Sequence, residues 1–368
     1  MEIKRIGIDA RLYGPLGKGL GRYTQEITDN IIRLDTQNEY VVFLCRENFA
    51  EFECDGKRIK KVLADVRWYS LVEQIIIPFL IMKNKIDLMH FPHFNVPLFC
   101  PAKFIVTIHD LILTRFPSAR ATTLAPLIYK IKNIGYKLII SSAIKRARKI
   151  ITVSEFTKND IVNYFRADPE KIIVTYEGVA DFNKDGGMSA GIDSRFFLYV
   201  GNAYPHKNLE GLVEVFNRIN KERHDLKLIF VGKEDYFYKR IKDSAQDNKN
   251  IIFAGYVPDN ELKEYYKKAV AYVFPSFYEG FGLPPLEAMA YGCPVASSDK
   301  ASMPEILGDA ALFFNPEDKN DFENKLNLIL EDENLRNELI WKGYDRVKKY
   351  SWIDCVEKTL AIYREGLR

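Results

Sequence analysis

Cysteine is scarce in this chain of 368 residues, and histidine equally so, with five of each. Cys45, Cys54, Cys100, Cys293 and Cys355 are odd in number and have neither metal nor disulfide spacing, which excludes a zinc framework and a disulfide scaffold. A reducing cytoplasm is the compartment this implies. Long apolar runs are missing as well. The longest, Ile75 to Met82, is too short to span a bilayer. Met1-Glu-Ile-Lys-Arg-Ile-Gly-Ile enters a strand at once, so no signal peptide is expected. No D-x-D pair occurs, and Gly17-Lys-Gly-Leu-Gly21 falls short of the full dinucleotide fingerprint, which argues against NAD. Low-complexity tracts and short repeats are absent too. What remains is 47% hydrophobic, enough for ordered cores in two domains of ordinary size.

The net charge of +3 conceals an asymmetry. Residues 1–180 hold 27 Lys and Arg against 19 Asp and Glu, and the remainder holds 26 against 31. A basic first half favours an anionic partner such as a lipid surface, a phosphorylated acceptor or nucleic acid. Nucleic acid fits poorly, because no known binding module surrounds the basic run.

Strands and helices alternate from end to end, the pattern of an α/β chain with parallel sheets. Strands are expected near Ile3–Asp9, Tyr40–Cys45, Lys60–Leu63, Asp87–Phe91, Phe104–His109, Lys149–Val153 and Ile172–Tyr176. After a Gly-rich linker at Asp181–Ser194 the pattern restarts with Phe196–Gly201, Leu226–Gly232, Ile251–Tyr256, Ala271–Pro275, Pro294–Ser297 and Ala311–Phe314. The expected domains are 1–180, 195–350 and a tail helix, 351–368, packing back on the first. Tyr23, Ile27, Ile31 and Leu34 share one helical face. So do Trp352, Val356, Leu360 and Tyr363 in the tail. Two Rossmann-like halves facing a cleft would bind ligands at the carboxyl ends of their strands.

Glu279-Gly-Phe-Gly-Leu-Pro-Pro-Leu-Glu287 is the most informative stretch. An apolar strand precedes it, and Leu283-Pro284-Pro285 opens a helix that Gly292 closes. A loop leading from a strand to a helix N-terminus is a ready anion site, with donors from Gly282, Leu283 and earlier residues because proline has none. The two acids can accept hydrogen bonds from a polyol. Phosphate and polyol together point to a nucleotide sugar.

With these motifs assembled, the chain resembles the GT-B fold retaining glycosyltransferases of family four. The resemblance is densest in F-P-S-F-Y-E-G-F-G-L-P-P-L-E-A-M-A-Y-G-C-P-V from Phe274, followed by M-P-E-I-L-G-D-A-A-L-F-F-N-P from Met303. Shorter matches are D-A-R-L-Y-G at Asp9, T-I-H-D-L at Thr107, T-V-S-E-F-T at Thr152 and Y-V-G-N-A-Y-P-H-K-N at Tyr199. The resemblance implies that Glu279 touches the donor sugar and Glu287 the ribose. It also implies that Lys207 stabilises the leaving diphosphate and that His109 lies near the donor sugar and acceptor hydroxyl. Gly280, Phe281, Gly282 and Leu283 would line the donor, with Tyr256 and Val257 meeting the nucleobase and Gly19 and Gly21 giving a close-approach loop. Many relatives carry arginine where this chain has Asn202; His206 is the candidate to supply the missing charge. Ser154 reads as an N-cap. His90 and His93 have the spacing of a metal pair but no third ligand.

The resemblance further implies a metal-independent hexosyltransferase that needs no cofactor beyond its nucleoside-diphosphate sugar. GDP-mannose is the favoured donor, from the likeness of Tyr199–Asn208 to mannosyltransferases of surface-polysaccharide assembly. The acceptor would be a glycan or lipid-linked oligosaccharide at the inner face of the cytoplasmic membrane. Two further readings of the same residues stand beside it: a soluble glucan or disaccharide synthase or nucleotide-sugar epimerase, and a non-catalytic nucleotide-sugar-binding subunit. Leu127 to Lys149 contains seven basic residues and no acid. Beside the apolar stretch Trp68–Met82 it reads either as a face for anionic lipid or as the solvated companion of a core helix.

Overall fold

A computed structural model describes residues 3–53, 56, 58–117, 126–179, 194–245 and 248–368. The linker expected at Asp181–Ser194 lies outside the described residues apart from Ser194, as does Cys54. The chain forms two compact units. One takes the chain up to Gly178 and then Ser351–Arg368; the other takes Val179–Tyr350.

The first unit is built on a seven-stranded parallel sheet of β1 (Arg5–Asp9), β2 (Glu39–Leu44), β3 (Ile59–Leu63), β4 (Leu88–Phe91), β5 (Lys103–Ile108), β6 (Lys149–Thr152) and β7 (Ile172–Val174), ordered 3-2-1-4-5-6-7. Its central strands are short apolar runs buried on both faces, as a parallel sheet covered by helices requires. Helix Lys18–Leu34 buries Tyr23, Ile27 and Ile31, whereas Leu34 sits in the last turn and is exposed, contrary to the expected face. The tail helix Trp352–Leu367 is capped by Ser351 and buries Trp352, Val356, Leu360 and Tyr363 in this unit. Fully burying a side chain such as Val356 contributes about 1.5–3 kcal/mol. Tyr363 also hydrogen-bonds His90 on β4 at 2.7 Å, tying the chain's last helix to the sheet's middle.

The second unit carries a six-stranded parallel sheet of β8 (Phe196–Val200), β9 (Lys227–Val231), β10 (Ile251–Gly255), β11 (Ala271–Phe274), β12 (Val295–Ser298) and β13 (Ala311–Phe314), ordered 10-9-8-11-12-13. Both sheets are therefore doubly wound. The strand order reverses between β1 and β4 in one and between β8 and β11 in the other. All thirteen strands agree with the sequence reading to within two residues at each end. Among the described residues no helix is long and apolar enough to cross a membrane.

Candidate active site

Open doubly wound sheets bind ligands beyond the carboxyl ends of their strands, where the order reverses. In the second unit that place is the pair of loops leaving β8 and β11. The β8 loop ends in a short 3-10 turn, Pro205–Lys207, before helix Leu209–Asn220. The β11 loop runs through Glu279 to helix Leu283–Ala290. The Phe277 amide donates to the His206 carbonyl at 2.8 Å, fastening one loop to the other.

This contact brings Lys207 Nζ to 2.6 Å from Glu279 Oε1. The side chains are 14% and 10% exposed, so the pair is mostly dehydrated yet reachable. Lys207 Nζ also lies 5.4 Å from the centre of the Phe274 ring, a favourable cation–π distance. Ser302 Oγ donates to the Glu279 carbonyl at 3.0 Å and fixes the acid's backbone from the side of β12. Gly282 precedes the helix at φ +94, and a Cβ there would meet Met303 Cε at 2.6 Å, so only glycine makes this turn. Phe281 turns its ring inward against Tyr350, which leaves its main chain as the part able to meet a ligand. Leu283 is the first helical residue. Glu287 stands one turn on, half-buried, with Tyr266 Oη 3.4 Å from its Oε2.

Asn202 braces its own loop: its carbonyl accepts from Tyr199 at 2.7 Å and its side chain faces the Tyr204 amide. His206 departs from the sequence reading. Burial first, and then the Lys207 charge, push its imidazole down to about 4, which works against its supplying the arginine's charge. Its ring stacks on Tyr204 instead. Gly280 is buried in the β11 loop. Tyr256 and Val257 follow β10, two strands from β8, roughly 10 Å across the sheet. Tyr256 is 75% exposed and Val257 is buried.

In the first unit His109 follows β5 and is held at both ring nitrogens. Nδ1 lies 3.1 Å from Glu177 Oε1, and Nε2 lies 2.9 Å from the Pro92 carbonyl. A carbonyl only accepts, so Nε2 carries a hydrogen, and the other ring nitrogen, Nδ1, meets Glu177. Tyr23 meets the ring edge-on at 4.5 Å. Ser154 accepts from the Thr157 amide as the expected N-cap, and Thr157 Oγ1 donates to the His109 carbonyl at 3.1 Å. Glu177 was not singled out from the sequence, although its place directly after the expected strand Ile172–Tyr176 was the available signal. Gly19 opens onto free space, whereas a Cβ on Gly21 would strike the Gly14 carbonyl at 2.1 Å. Only Gly19 keeps room for an approaching ligand; Gly21 is required by the fold. His90 commits both nitrogens to hydroxyls, Tyr363 at 2.7 Å and Thr107 at 2.9 Å, and burial pushes it down to about 3. No group of three or more metal-ligating side chains occurs among the described residues.

A doubly wound parallel sheet in each of two units is the architecture of the GT-B enzymes. Sequence comparison agrees. The profile of glycosyl transferases group 1 matches residues 189–346, and that of glycosyltransferase family 4 matches residues 17–181. O-antigen chain mannosyltransferase RfbU of Salmonella typhimurium is 30% identical over 265 residues, 71% of this chain and 70% of that one. O-antigen chain mannosyltransferase B of Escherichia coli is 28% identical over 289 residues, 75% and 73% of the two chains. Sucrose-phosphate synthase from Thermosynechococcus elongatus superposes with a TM-score of 0.77 at 18% identity, over 98% of both chains, and shares the fold. The chain belongs to the glycosyl transferases group 1 family and is a glycosyltransferase.

Proposed function

We propose that this enzyme is a retaining mannosyltransferase that takes its sugar from GDP-mannose and needs no metal ion. The observation that carries the reading is the Lys207–Glu279 pair at the reversal between β8 and β11. An incoming diphosphate competes with Glu279 for Lys207 and is met by the amides of Gly282 and Leu283 at the helix start, while the released carboxylate accepts from the sugar's hydroxyls. Charge builds on the leaving diphosphate as the anomeric C–O bond breaks, and a fixed cation in a largely dry site stabilises it more than water does. The acceptor oxygen bonds to the anomeric carbon on the same face, and its proton passes to the departing diphosphate. Glu287, half-buried one helical turn from Gly282, suits the ribose hydroxyls. His109 and Glu177 orient the acceptor side. The mannosyltransferase relatives support the sugar. The test is transfer from GDP-mannose, UDP-glucose and UDP-galactose with excess chelator, reading the product's anomeric configuration by NMR. A β-linked product, or loss of turnover with chelator, rejects the mechanism; preference for another donor rejects the sugar.

A place at an anionic membrane is part of the same proposal. Helix Glu73–Lys83 buries its acid and turns apolar side chains outward, Ile75, Phe79 and Met82 among them, with Leu71 just before it 85% exposed. Phe99, 82% exposed, sits in a loop that Arg146 fastens through the carbonyls of Leu98 and Cys100. Helix Pro126–Arg146 adds exposed Ile131, Ile134 and Leu138 between exposed Lys132, Lys137 and Lys145. Apolar surface interleaved with exposed lysines suits a lipid headgroup layer. Vesicles containing phosphatidylglycerol should sediment the enzyme and pure phosphatidylcholine should not; equal behaviour rejects this part alone.

A further inference from the structure

We infer that Tyr69, beside the reversal between β1 and β4, is a stacking platform for a pyranose ring of the acceptor. The inference rests on the transferase reading above. Tyr69 is an aromatic residue in the left-handed region, φ +60, where a bulky side chain is rare. Its side chain is nevertheless offered to solvent, 54% exposed. What holds the backbone in this state is a carboxylate. The Tyr69 amide donates to Glu73 Oε2 at 2.7 Å, and Glu73 is fully buried.

Glu73 is held in turn by groups from the ends of β1 and β4. Asn95 Nδ2 donates to its Oε1 at 2.8 Å, and Arg11 Nη1 stands 2.8 Å from the same oxygen, an ion contact rather than a well-angled hydrogen bond. Arg11 completes the network through two 2.7 Å bonds to Asp9 and lies 3.9 Å over the Trp68 ring. Sealed ion networks contribute little net stability, and a strained residue persists only where its surroundings over-determine it. Here three charged side chains converge on one outcome, a tyrosine ring held at a fixed angle in the open.

The surroundings of that ring suit a sugar. Trp68 lies beside it at 6.4 Å, and His93 meets both rings close to edge-on at 6.3 Å. Phe94 lies 6.2 Å from Tyr69 on its protein side. His93 Nδ1 and Asn95 Oδ1 are buried in the same cluster without hydrogen-bond partners among the described residues. Aromatic faces for the C–H side of a pyranose, bordered by a few fixed polar groups, are the usual composition of a small-ligand site. Tyr69 itself follows the edge strand β3, and Glu73 ties it to Arg11 and Asn95 beyond β1 and β4, where the strand order reverses. Tyr69 would touch the acceptor; Glu73 and Arg11 are positioning residues.

The experiment compares Tyr69→Gly and Tyr69→Phe with the wild type, using octyl α-mannoside as a water-soluble acceptor probe. Glycine favours positive φ, so it removes the ring without straining the loop. Tyr69→Gly should raise the KM for the mannoside about tenfold, the loss of one aromatic contact, and leave the KM for the sugar nucleotide and its slow hydrolysis without acceptor unchanged. Tyr69→Phe should behave as wild type. An unmoved mannoside KM in Tyr69→Gly, or a parallel rise in the donor KM, overturns the inference. So does a Tyr69→Gly variant that loses vesicle binding but handles the soluble mannoside normally, which would assign the ring to the membrane face. A wild-type enzyme inert toward every sugar nucleotide overturns the transferase reading itself.

Discussion

The two sheets place ions at the same topological position and treat them in opposite ways. At the β1–β4 reversal Asp9, Arg11 and Glu73 form a sealed group, with the Arg11 and Glu73 side chains at 0% exposure. At the β8–β11 reversal the Lys207–Glu279 pair keeps a small accessible fraction. A sealed group cannot change partners, so its use is geometric: it fixes the loops that bear Trp68, Tyr69 and Asn95. An ion pair open at one edge can exchange its carboxylate for a ligand anion at little extra desolvation cost. One arrangement builds a site and the other performs in it.

The largest effect that separates the two is on stability. Arg11→Ala strands Asp9 and Glu73 as buried carboxylates without their cation, and breaking such a group costs about 3–5 kcal/mol. Calorimetry should show a large fall in Tm for Arg11→Ala. Replacing all three by apolar residues of similar size should be far milder, because no unpaired charge then remains. A Tm for Arg11→Ala within a degree or two of wild type would erase the distinction drawn between the reversals.

Lys207→Ala should show the converse. Glu279 reaches water at its edge, so the variant should lose less Tm than Arg11→Ala. Its kcat should fall about 10²–10³-fold, equivalent to about 2.7–4 kcal/mol of stabilisation for the developing charge. Steady-state kinetics with a nucleotide sugar measure this directly. A variant that keeps its kcat while melting as early as Arg11→Ala would reduce Lys207 and Glu279 to a structural pair like the one in the first unit.

This contrast also explains what the sequence could disclose. The strands were legible because parallel strands are short apolar runs set off by glycine and polar turns, and the Glu279–Glu287 loop because a single segment holds its whole pattern. Lys207 and Glu279 could each be named in advance, but their contact depends on which strands are neighbours. Glu177 was overlooked for that reason: it reaches His109 only because β7 and β5 flank β6. Arg11 was visible inside D-A-R-L-Y-G without its purpose, since Glu73 and Asn95 come from distant loops. The apolar stretch before Lys83 stayed ambiguous because periodicity needs contrast, and a segment apolar on every side has none. The downward push on the His206 imidazole follows first from burial, which no local pattern encodes.

Titration gives the smallest and most selective separation. Burial pushes His90 in the first unit down to about 3 and His206 in the second down to about 4, against 6.5 unfolded. Below pH 6.5 the unfolded chain binds more protons at these sites than the folded one. Their stabilisation is therefore complete above pH 6.5 and is lost as pH falls toward those lower values. By pH 6 the loss is on the order of 1 kcal/mol for each. Asp29, in the first unit, works the other way. Burial raises it from 3.8 to about 6, with the Tyr13 hydroxyl partly opposing, so its contribution is full below 3.8 and lost as pH rises through 6. The first unit thus carries opposing terms. Tm should fall between pH 7 and pH 5.5, less steeply in His206→Gln and more steeply in Asp29→Asn. Parallel curves for His206→Gln and wild type would mean that the imidazole titrates alike in the folded and unfolded chain. A wild-type curve shallower than that of His206→Gln would mean that the folded imidazole holds its proton, and the charge that Asn202 lacks would then have a source beside Lys207.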